Sequence, residues 1–163
     1  MKEMTSQEAR LLSPLNLAYI GDGIYELLTR RHIIAQGNAP VNLLHRKTVA
    51  IVCAAAQSRA FGVIEGVLSE EELTIYKRGR NANGNHVPKN SDPQDYRRAT
   101  GVEALFGYLY LTGRTDRVTE LYEMIYRSTQ DAPPCAAGKE EECAAPQLPE
   151  ESEQAASGER DGQ

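Results

Sequence analysis

A single acidic residue inside an apolar, helix-forming stretch places the strongest constraint on how this chain folds. The stretch LNLAYIGDGIYELLTRRHII, residues 15–34, repeats its large apolar side chains at helical spacing, and Asp22 lies between two glycines within it. An ionised carboxylate removed from water is strongly unfavourable unless a partner compensates its charge. The pattern therefore predicts a long buried helix in which Asp22 faces a partner supplied by another part of the chain.

Glycine, proline and capping signals divide the rest of the chain into helices. The predicted helices span about residues 15–36, 69–78, 94–112 and 116–126, and a further apolar stretch covers 41–68 at helical spacing. Ser69 and Glu72 form a capping-box pattern at the start of the short helix. The glycine- and asparagine-rich residues 79–93 predict a loop. Because no segment alternates convincingly between polar and apolar residues, these elements predict an all-α domain.

The net charge of −5 averages over two unlike regions. From Asp131 onward, nine acidic and two basic residues stand among Pro, Ala, Ser and Gly, whereas residues 1–130 carry a net charge of +2. A segment so poor in large apolar side chains cannot offset the entropy lost on ordering. We therefore expect one folded domain over 1–130, followed by a disordered acidic tail over 131–163.

Cysteine content and hydropathy indicate the compartment. The three cysteines fit neither a disulfide framework nor a metal-binding pair, and the three histidines lack zinc or di-iron spacing. The amino-terminal residues have no apolar run of a signal peptide, and no stretch reaches the ~18 apolar residues of a membrane span. These features predict a cytoplasmic protein with reduced thiols and no membrane association.

A second acidic residue repeats the pattern in a later helix. Glu103 stands among apolar residues in ATGVEALFGYLYL, four residues before Gly107. Gly101 and Gly107 allow another backbone to approach this helix closely. If the two helices meet there, Asp22 and Glu103 raise each other's pKa, and a divalent cation such as Mg²⁺, which prefers oxygen ligands, removes this penalty. The alternative is that both carboxylates face solvent or cap a neighbouring backbone.

Several separate motifs, in the same order, resemble the ribonuclease III family. LAYIGDGIYE is similar to the signature helix of that family, and ATGVEALFGYLYL is similar to its second acidic helix. Together with LHRKT, KRGRNA and PKNSDPQDYRR, they resemble the compact bacterial branch, Mini-ribonuclease III, which lacks a double-stranded RNA-binding domain. The resemblance covers about residues 15–126 and accounts for the absence of a second domain.

The resemblance implies a homodimeric, helical catalytic domain that uses Mg²⁺ to cleave double-stranded RNA, with the 23S ribosomal RNA precursor as substrate. By position, it implies that Asp22 and Glu103 are the catalytic residues and the metal ligands. Larger ribonuclease III proteins carry two further carboxylates where this chain has Ala18 and Thr100. We therefore expect water or the RNA phosphate to complete the coordination. A ribosomal protein is left open as a stimulating partner.

A basic stretch is the candidate RNA-binding surface. Its cationic residues are Lys77, Arg78, Arg80, Lys89, Arg97 and Arg98, against two acidic residues in the same stretch. Such a loop can follow a phosphate backbone, because A-form RNA is recognised by its shape and by phosphate and 2′-hydroxyl contacts. An ordinary solvated loop is the alternative.

Other polar and aromatic residues near these motifs allow more than one role. Glu26, one turn after Asp22, either orients a metal-bound water or forms an ion pair with Arg30 at i+4. Four tyrosines at helical spacing are assigned to packing, including a dimer interface, because an RNA duplex exposes no base faces for stacking. They are Tyr19, Tyr25, Tyr108 and Tyr110.

Two other functions compete with the enzyme. A catalytically silent, duplex-RNA-binding ribosome-assembly factor needs the basic stretch but does not need both carboxylates. A helical interaction protein without a nucleic acid ligand explains the helices but leaves the carboxylates and the basic stretch unexplained. The presence of Asp22 and Glu103 together therefore favours the enzyme.

Overall fold

The computed structural model of the chain describes residues 3–82 and 92–130. Within these ranges the chain forms seven α-helices and one 3₁₀ turn, and no strand, which confirms the all-α prediction. The helices are α1 (Ser6–Leu11), α2 (Pro14–Ala35), α3 (Val41–Val52), α4 (Ala54–Ile64), α5 (Glu70–Arg80), α6 (Pro93–Leu111) and α7 (Thr115–Gln130), with the 3₁₀ turn at Glu65–Val67. Lys89 and the predicted tail, 131–163, lie outside the described residues.

Helix α6 is the central element of the domain. Between Ala99 and Leu109 every residue except Glu103 is buried. A helix that is apolar around its whole circumference requires cover on all sides, and α2, α4, α5 and α7 pack around it. Glu103 is therefore the one charged side chain in the most enclosed part of the structure that is described.

The apolar stretch at 41–68 forms two helices and a turn, with a sharp change of direction at Cys53. The backbone of Cys53 is extended, with φ −65° and ψ 152°. Its N–H donates to the carbonyl of Val49 at 3.1 Å, while its own carbonyl accepts from the N–H groups of Ala56 and Gln57 at 2.9 and 3.0 Å. These bonds end α3 and begin α4. The two helical segments meet at a bend of 54°, although the apolar spacing of the sequence continues through it.

No single helix within residues 3–82 and 92–130 is long and apolar enough to cross a membrane. Helix α3 and the segment Ala54–Val67 together have the length and apolar composition of a span, but they form a bent pair and not one helix.

Capping residues define the ends of several helices. The Ser69 hydroxyl accepts a hydrogen bond from the Glu72 N–H at 3.2 Å, and the Ser69 N–H donates to the Glu72 carboxylate at 2.8 Å, which confirms the predicted capping box. Thr5 and Glu8 form the same arrangement at the start of α1. This helix is absent from the predicted elements, although its capping pattern is present in the sequence.

Helix α2 is buried along one face only, so the expectation of a wholly buried helix is wrong. Leu17, Tyr25 and Leu28 are buried, whereas four large apolar side chains are exposed. These are Leu15, Tyr19, Leu27 and Ile34, with exposed fractions of 40%, 81%, 55% and 56%. Apolar spacing indicates surface that favours burial but does not indicate which partner covers it.

The four tyrosines divide in the same way. Tyr25 and Tyr108 lie in the core, as predicted for packing residues, whereas Tyr19 and Tyr110 are exposed. The Tyr25 ring contacts Phe106 of α6 and Tyr122 of α7 edge to face, each with 5.3 Å between ring centroids. These contacts join α2, α6 and α7.

A buried ion pair joins α5 to α7. Arg117 donates to both carboxylate oxygens of Glu72, at 2.9 and 3.0 Å, and to the carbonyl of Val67 at 2.7 Å. The Glu72 side chain is only 5% exposed. Because a buried charge is costly without its partner, this pair fixes the position of α7 on the rest of the domain.

Candidate active site

Helices α2 and α6 cross with their backbones in contact. A Cβ atom at Gly21 would lie 1.7 Å from the carbonyl oxygen of Glu103, and one at Gly107 would lie 2.0 Å from the carbonyl oxygen of Leu17. These distances are far shorter than any van der Waals contact, so only glycine fits at either position. The crossing therefore brings the segment that carries Asp22 against the segment that carries Glu103.

Helix α5 approaches another side of α6 through a second pair of glycines. A Cβ atom at Gly79 would lie 2.8 Å from the carbonyl oxygen of Thr100, and one at Gly101 would lie 2.6 Å from the ring of Tyr76. The close approach predicted for Gly101 and Gly107 is thus observed, but each glycine admits a different helix. The carboxyl-terminal half of α5, which carries part of the basic stretch, is held against α6.

The carboxylates of Asp22 and Glu103 influence each other at the α2–α6 crossing. Glu103 is half-buried, and its burial, together with the negative charge of Asp22, raises its pKa to about 7, although the nearby side chain of Gln57 opposes this rise. The Asp22 side chain is exposed, yet partial desolvation and the negative charge of Glu26 raise its pKa. The two acidic side chains are therefore close enough to repel, as the sequence predicted.

Neither carboxylate has a basic partner in the part of the chain that the structure describes. Within residues 3–82 and 92–130, no Lys, Arg or His forms an ion pair with Asp22 or Glu103. Neither residue occupies a helix N-cap in these ranges. Two hard oxygen groups with raised pKa values and no compensating cation among the described residues fit a divalent cation such as Mg²⁺, which favours both charged forms.

The described residues supply only two protein ligands to such a cation. No group of three or more His, Cys, Asp or Glu side chains clusters as a metal site in the described ranges. Ala18 and Thr100 are buried, and the Thr100 hydroxyl donates to the carbonyl of Tyr96 in its own helix at 3.0 Å. Glu26 forms the ion pair with Arg30 that the sequence offered as one alternative. Water or substrate would thus have to complete the coordination.

Gln57 of α4 is a further polar group at this site. It is 0% exposed, and its side chain lies near enough to the Glu103 carboxyl to lower the pKa of that group. Among the described residues, however, neither Nε2 nor Oε1 of Gln57 has a partner with ordinary hydrogen-bond geometry. The sequence pattern predicts no role for Gln57; the available signal is an amide that follows three alanines in AAAQSRA.

Three of the predicted RNA-binding residues line one cavity. Its volume is about 430 Å³, and its lining residues are Arg80, Asn81, Gln94, Arg97 and Arg98. Since α5 and α6 are in close contact, cations from the end of one helix and the start of the other meet at this surface. The structure thus brings Arg80 together with Arg97 and Arg98.

The other predicted basic residues have different environments. Lys77 is exposed on α5. Arg78 is half-buried and donates to the carbonyl of Leu12 at 3.1 Å, so this guanidinium also connects α5 to the segment between α1 and α2. Lys89 lies outside the described residues. Of the six predicted cations, the structure therefore groups three and gives a fourth a contact within the fold.

Comparison with known proteins supports the resemblance seen in the motifs. The Ribonuclease III domain family matches residues 15–114, a range that includes both carboxylates. A protein named Mini-ribonuclease 3 from Thermoanaerobacter sp. (strain X514) is 49% identical over 121 residues, which are 74% of this chain and 85% of that protein. A protein of the same name from Clostridium tetani is 44% identical over 125 residues, 76% of this chain and 83% of that protein.

The fold also matches a solved structure. A crystal structure of a protein from Fusobacterium nucleatum superposes with a TM-score of 0.67 at 29% sequence identity. The superposition covers 74% of this chain and 96% of that one. The matching part of the chain is therefore comparable in extent to a whole protein of this fold.

Proposed function

Because this chain belongs to the ribonuclease III family and is an endoribonuclease, we propose that it cleaves double-stranded RNA with Mg²⁺, using Asp22 and Glu103 as catalytic residues and metal ligands. The observation that carries this proposal is the meeting of two carboxylates at a glycine-lined helix crossing, where both have raised pKa values and neither has a basic partner among residues 3–82 and 92–130. A catalytically silent RNA-binding protein has no use for that arrangement, because uncompensated acidic groups reduce both stability and affinity for a polyanion.

The two carboxylates contribute differently to the proposed reaction. A bound Mg²⁺ supplies a water of lowered pKa and neutralises charge on the scissile phosphate. Glu103, half-buried and adjacent to Gln57, provides a ligand with restricted movement. Asp22 is exposed, so a cation bound to its carboxylate would be accessible to an incoming RNA phosphate. Glu26 is paired with Arg30, and we assign it no ligand role in the reaction.

The proposed RNA-binding surface is the cavity lined by Arg80, Arg97 and Arg98, extended by the other predicted cations. Guanidinium groups suit phosphate oxygens because their donors form bidentate hydrogen bonds. The extending residues are Lys77 and Arg78; Lys89, outside the described residues, stays a sequence-based prediction of an RNA contact. We propose the 23S ribosomal RNA precursor as substrate and the cytoplasm as compartment, following the resemblance to Mini-ribonuclease III; a ribosomal protein partner remains part of this proposal.

The exposed apolar face of α2 supports a homodimer. Tyr19 and Leu27 are large apolar side chains left in water by the fold of one chain, and they lie on the helix that carries Asp22. A second copy that packs there around a dyad places two active sites in a symmetric pair, so that both strands of a duplex are cut. Leu27→Glu should yield a monomer in light scattering, whereas Val67→Glu, at an exposed apolar residue of the 3₁₀ turn, should leave the dimer intact. A monomeric, fully active wild-type protein would contradict the dimer.

The test of the catalytic site compares Asp22→Asn and Glu103→Gln with the wild-type protein. Cleavage of a long RNA duplex in Mg²⁺ should fall by orders of magnitude, because each variant loses a metal ligand. Duplex binding in Ca²⁺ should persist, since phosphate contacts made elsewhere supply most of the affinity. Glu26→Gln is the matched control, one turn from Asp22, and should retain most of the activity. Near-normal cleavage by either folded site variant would refute the assignment; duplex binding without cleavage by the wild type would favour the silent RNA-binding function.

A further inference from the structure

Gln57 is a buried polar group that the fold alone does not explain. Its amide has no partner of ordinary hydrogen-bond geometry among residues 3–82 and 92–130, although the residue is fully buried. Buried amides in native proteins are almost always satisfied, because an unmade hydrogen bond is destabilising. An apolar side chain of similar size would fill the same space without this cost. The presence of an amide here therefore indicates a requirement beyond packing.

The backbone path at the start of α4 places Gln57 near Glu103. The bend at Cys53 turns the chain so that α4 packs on α6, and Gln57 lies in the first turn of α4, where its N–H donates to the Cys53 carbonyl. Its buried neighbours on that helix, Ala56 and Ala60, are small. The fully buried amide therefore lies near the Glu103 carboxyl, whereas Asp22 is exposed.

We propose that Gln57 is a positioning residue of the cation site: its amide N–H orients the Glu103 carboxylate, and its amide oxygen accepts a hydrogen bond from a water bound to the cation. This inference rests on the proposed function. A neutral amide is suited to both tasks, because it holds a ligand carboxylate without competing with the cation for its charge. A Lys or Arg at the same place would pair with Glu103 and displace the cation. Such outer partners of metal ligands usually alter metal affinity or activity when they are replaced.

The first experiment replaces the amide with an apolar side chain of similar length. Gln57→Met should keep or raise the melting temperature measured without metal, since an unsatisfied buried amide is removed. In the same variant, the Mg²⁺ concentration that gives half of the thermal stabilisation should rise by about tenfold or more, and kcat should fall with KM for the duplex little changed. Metal affinity and kcat equal to those of the wild type would overturn the inference.

The matched control removes a buried hydroxyl away from the site. Thr48 is buried in α3, and its hydroxyl donates to the carbonyl of Leu44 at 2.9 Å. Thr48→Val should change the melting temperature without changing the Mg²⁺ requirement or kcat. An equal change in the Mg²⁺ requirement of Thr48→Val and Gln57→Met would assign the effect to general loosening of the core and overturn the specific role of Gln57.

Gln57→Glu tests the position of residue 57 relative to the cation, and it serves as the second variant if Gln57→Met does not fold. Gln57→Glu places a third carboxyl beside Glu103, so the melting temperature without metal should fall, and Mg²⁺ should raise it by more than in the wild type. No greater gain than in the wild type would show that position 57 lies away from the cation and refute the inference. If wild-type protein itself shows neither Mg²⁺ stabilisation nor Mg²⁺-dependent cleavage, the proposed function fails first; a normal wild type with an unaffected Gln57→Met contradicts the inference alone.

Discussion

The carbonyl oxygen of Glu103 occupies the space that a Cβ atom at Gly21 would need, 1.7 Å from its ideal position. This contact makes Gly21→Ala the most informative single-methyl change in the protein. We expect it to destabilise the fold by about 3 kcal/mol, because one helix must move away from the other. The same movement should separate the two carboxylates. The variant protein that remains folded should therefore cleave RNA more slowly than the wild type.

Gly23 provides a matched control on the opposite side of Asp22. A Cβ atom at Gly23 meets no atom within 4 Å. Because Gly23 lies inside α2, Gly23→Ala should be neutral or stabilise the protein by up to about 1 kcal/mol through helix propensity. Equal melting temperatures for Gly21→Ala and the wild type in calorimetry would contradict the close crossing.

The raised pKa of Glu103 predicts that the free energy of unfolding of the metal-free protein decreases as the pH rises. Its folded-state pKa is about 7, above the ordinary value of 4.5, so its contribution to stability is fully present below the ordinary value and is lost as the pH rises through 7. Glu103→Gln should therefore be stabilising relative to the wild type above neutral pH, by about 2 kcal/mol, and by much less at acidic pH. Thermal melts without metal measure this difference, and saturating Mg²⁺ should reduce or reverse it. A difference that does not change with pH would exclude this account.

Arg97 should act through RNA affinity rather than through chemistry. It is exposed and lines the basic cavity, so Arg97→Ala should raise KM for a duplex, leave kcat nearly unchanged and reduce the salt dependence of binding by about one phosphate contact. Arg127, whose side chain is 80% exposed on α7, supplies the control variant Arg127→Ala. Equal effects of the two changes on KM would indicate a general charge effect in place of a localised surface.

The Glu72–Arg117 pair should be structural and separate from catalysis. Arg117→Met leaves the Glu72 carboxylate buried without a cation, and the free energy of unfolding should fall by about 3 kcal/mol. Arg127→Met, at the exposed end of the same helix, should change it by less than about 0.5 kcal/mol. The kcat of the folded Arg117→Met protein should match that of the wild type. A loss of kcat at full folding would place α7 in the catalytic machinery.

The carboxylate pair was predictable because its signal is local in the sequence. Acidic residues beside glycines on two apolar helices imply a close helix crossing and a compensating ligand, and the structure brings Asp22 and Glu103 together. The capping box at Ser69 was equally local. In these cases, the signal lies within about one helical turn: each carboxylate is close in sequence to a glycine of the crossing, and Ser69 is three residues from Glu72.

The features that the sequence did not reveal depend on single residues or on distant parts of the chain. The bend at Cys53 interrupts no apolar spacing, because one extended residue changes the direction of the chain without changing which residues are apolar. The proximity of Gln57 to Glu103 could not be predicted, because it depends on the bend that packs α4 against α6. The exposed side of α2 has the same periodicity as its buried side, so the pattern shows which surfaces favour burial and leaves their partners unspecified.

The crossing of α2 and α6 also determines which movements the active site permits. The Leu17 carbonyl is seated against Gly107, and the Glu103 carbonyl is seated against Gly21. Two such interlocking contacts on one helix pair prevent either helix from sliding along the other, because a shift would drive a carbonyl group into a side chain. The separation of the two carboxyl groups is thus adjusted only by side-chain torsions. If both groups bind one cation as proposed, the fixed backbone restricts the range of ionic radii that the pair can accommodate.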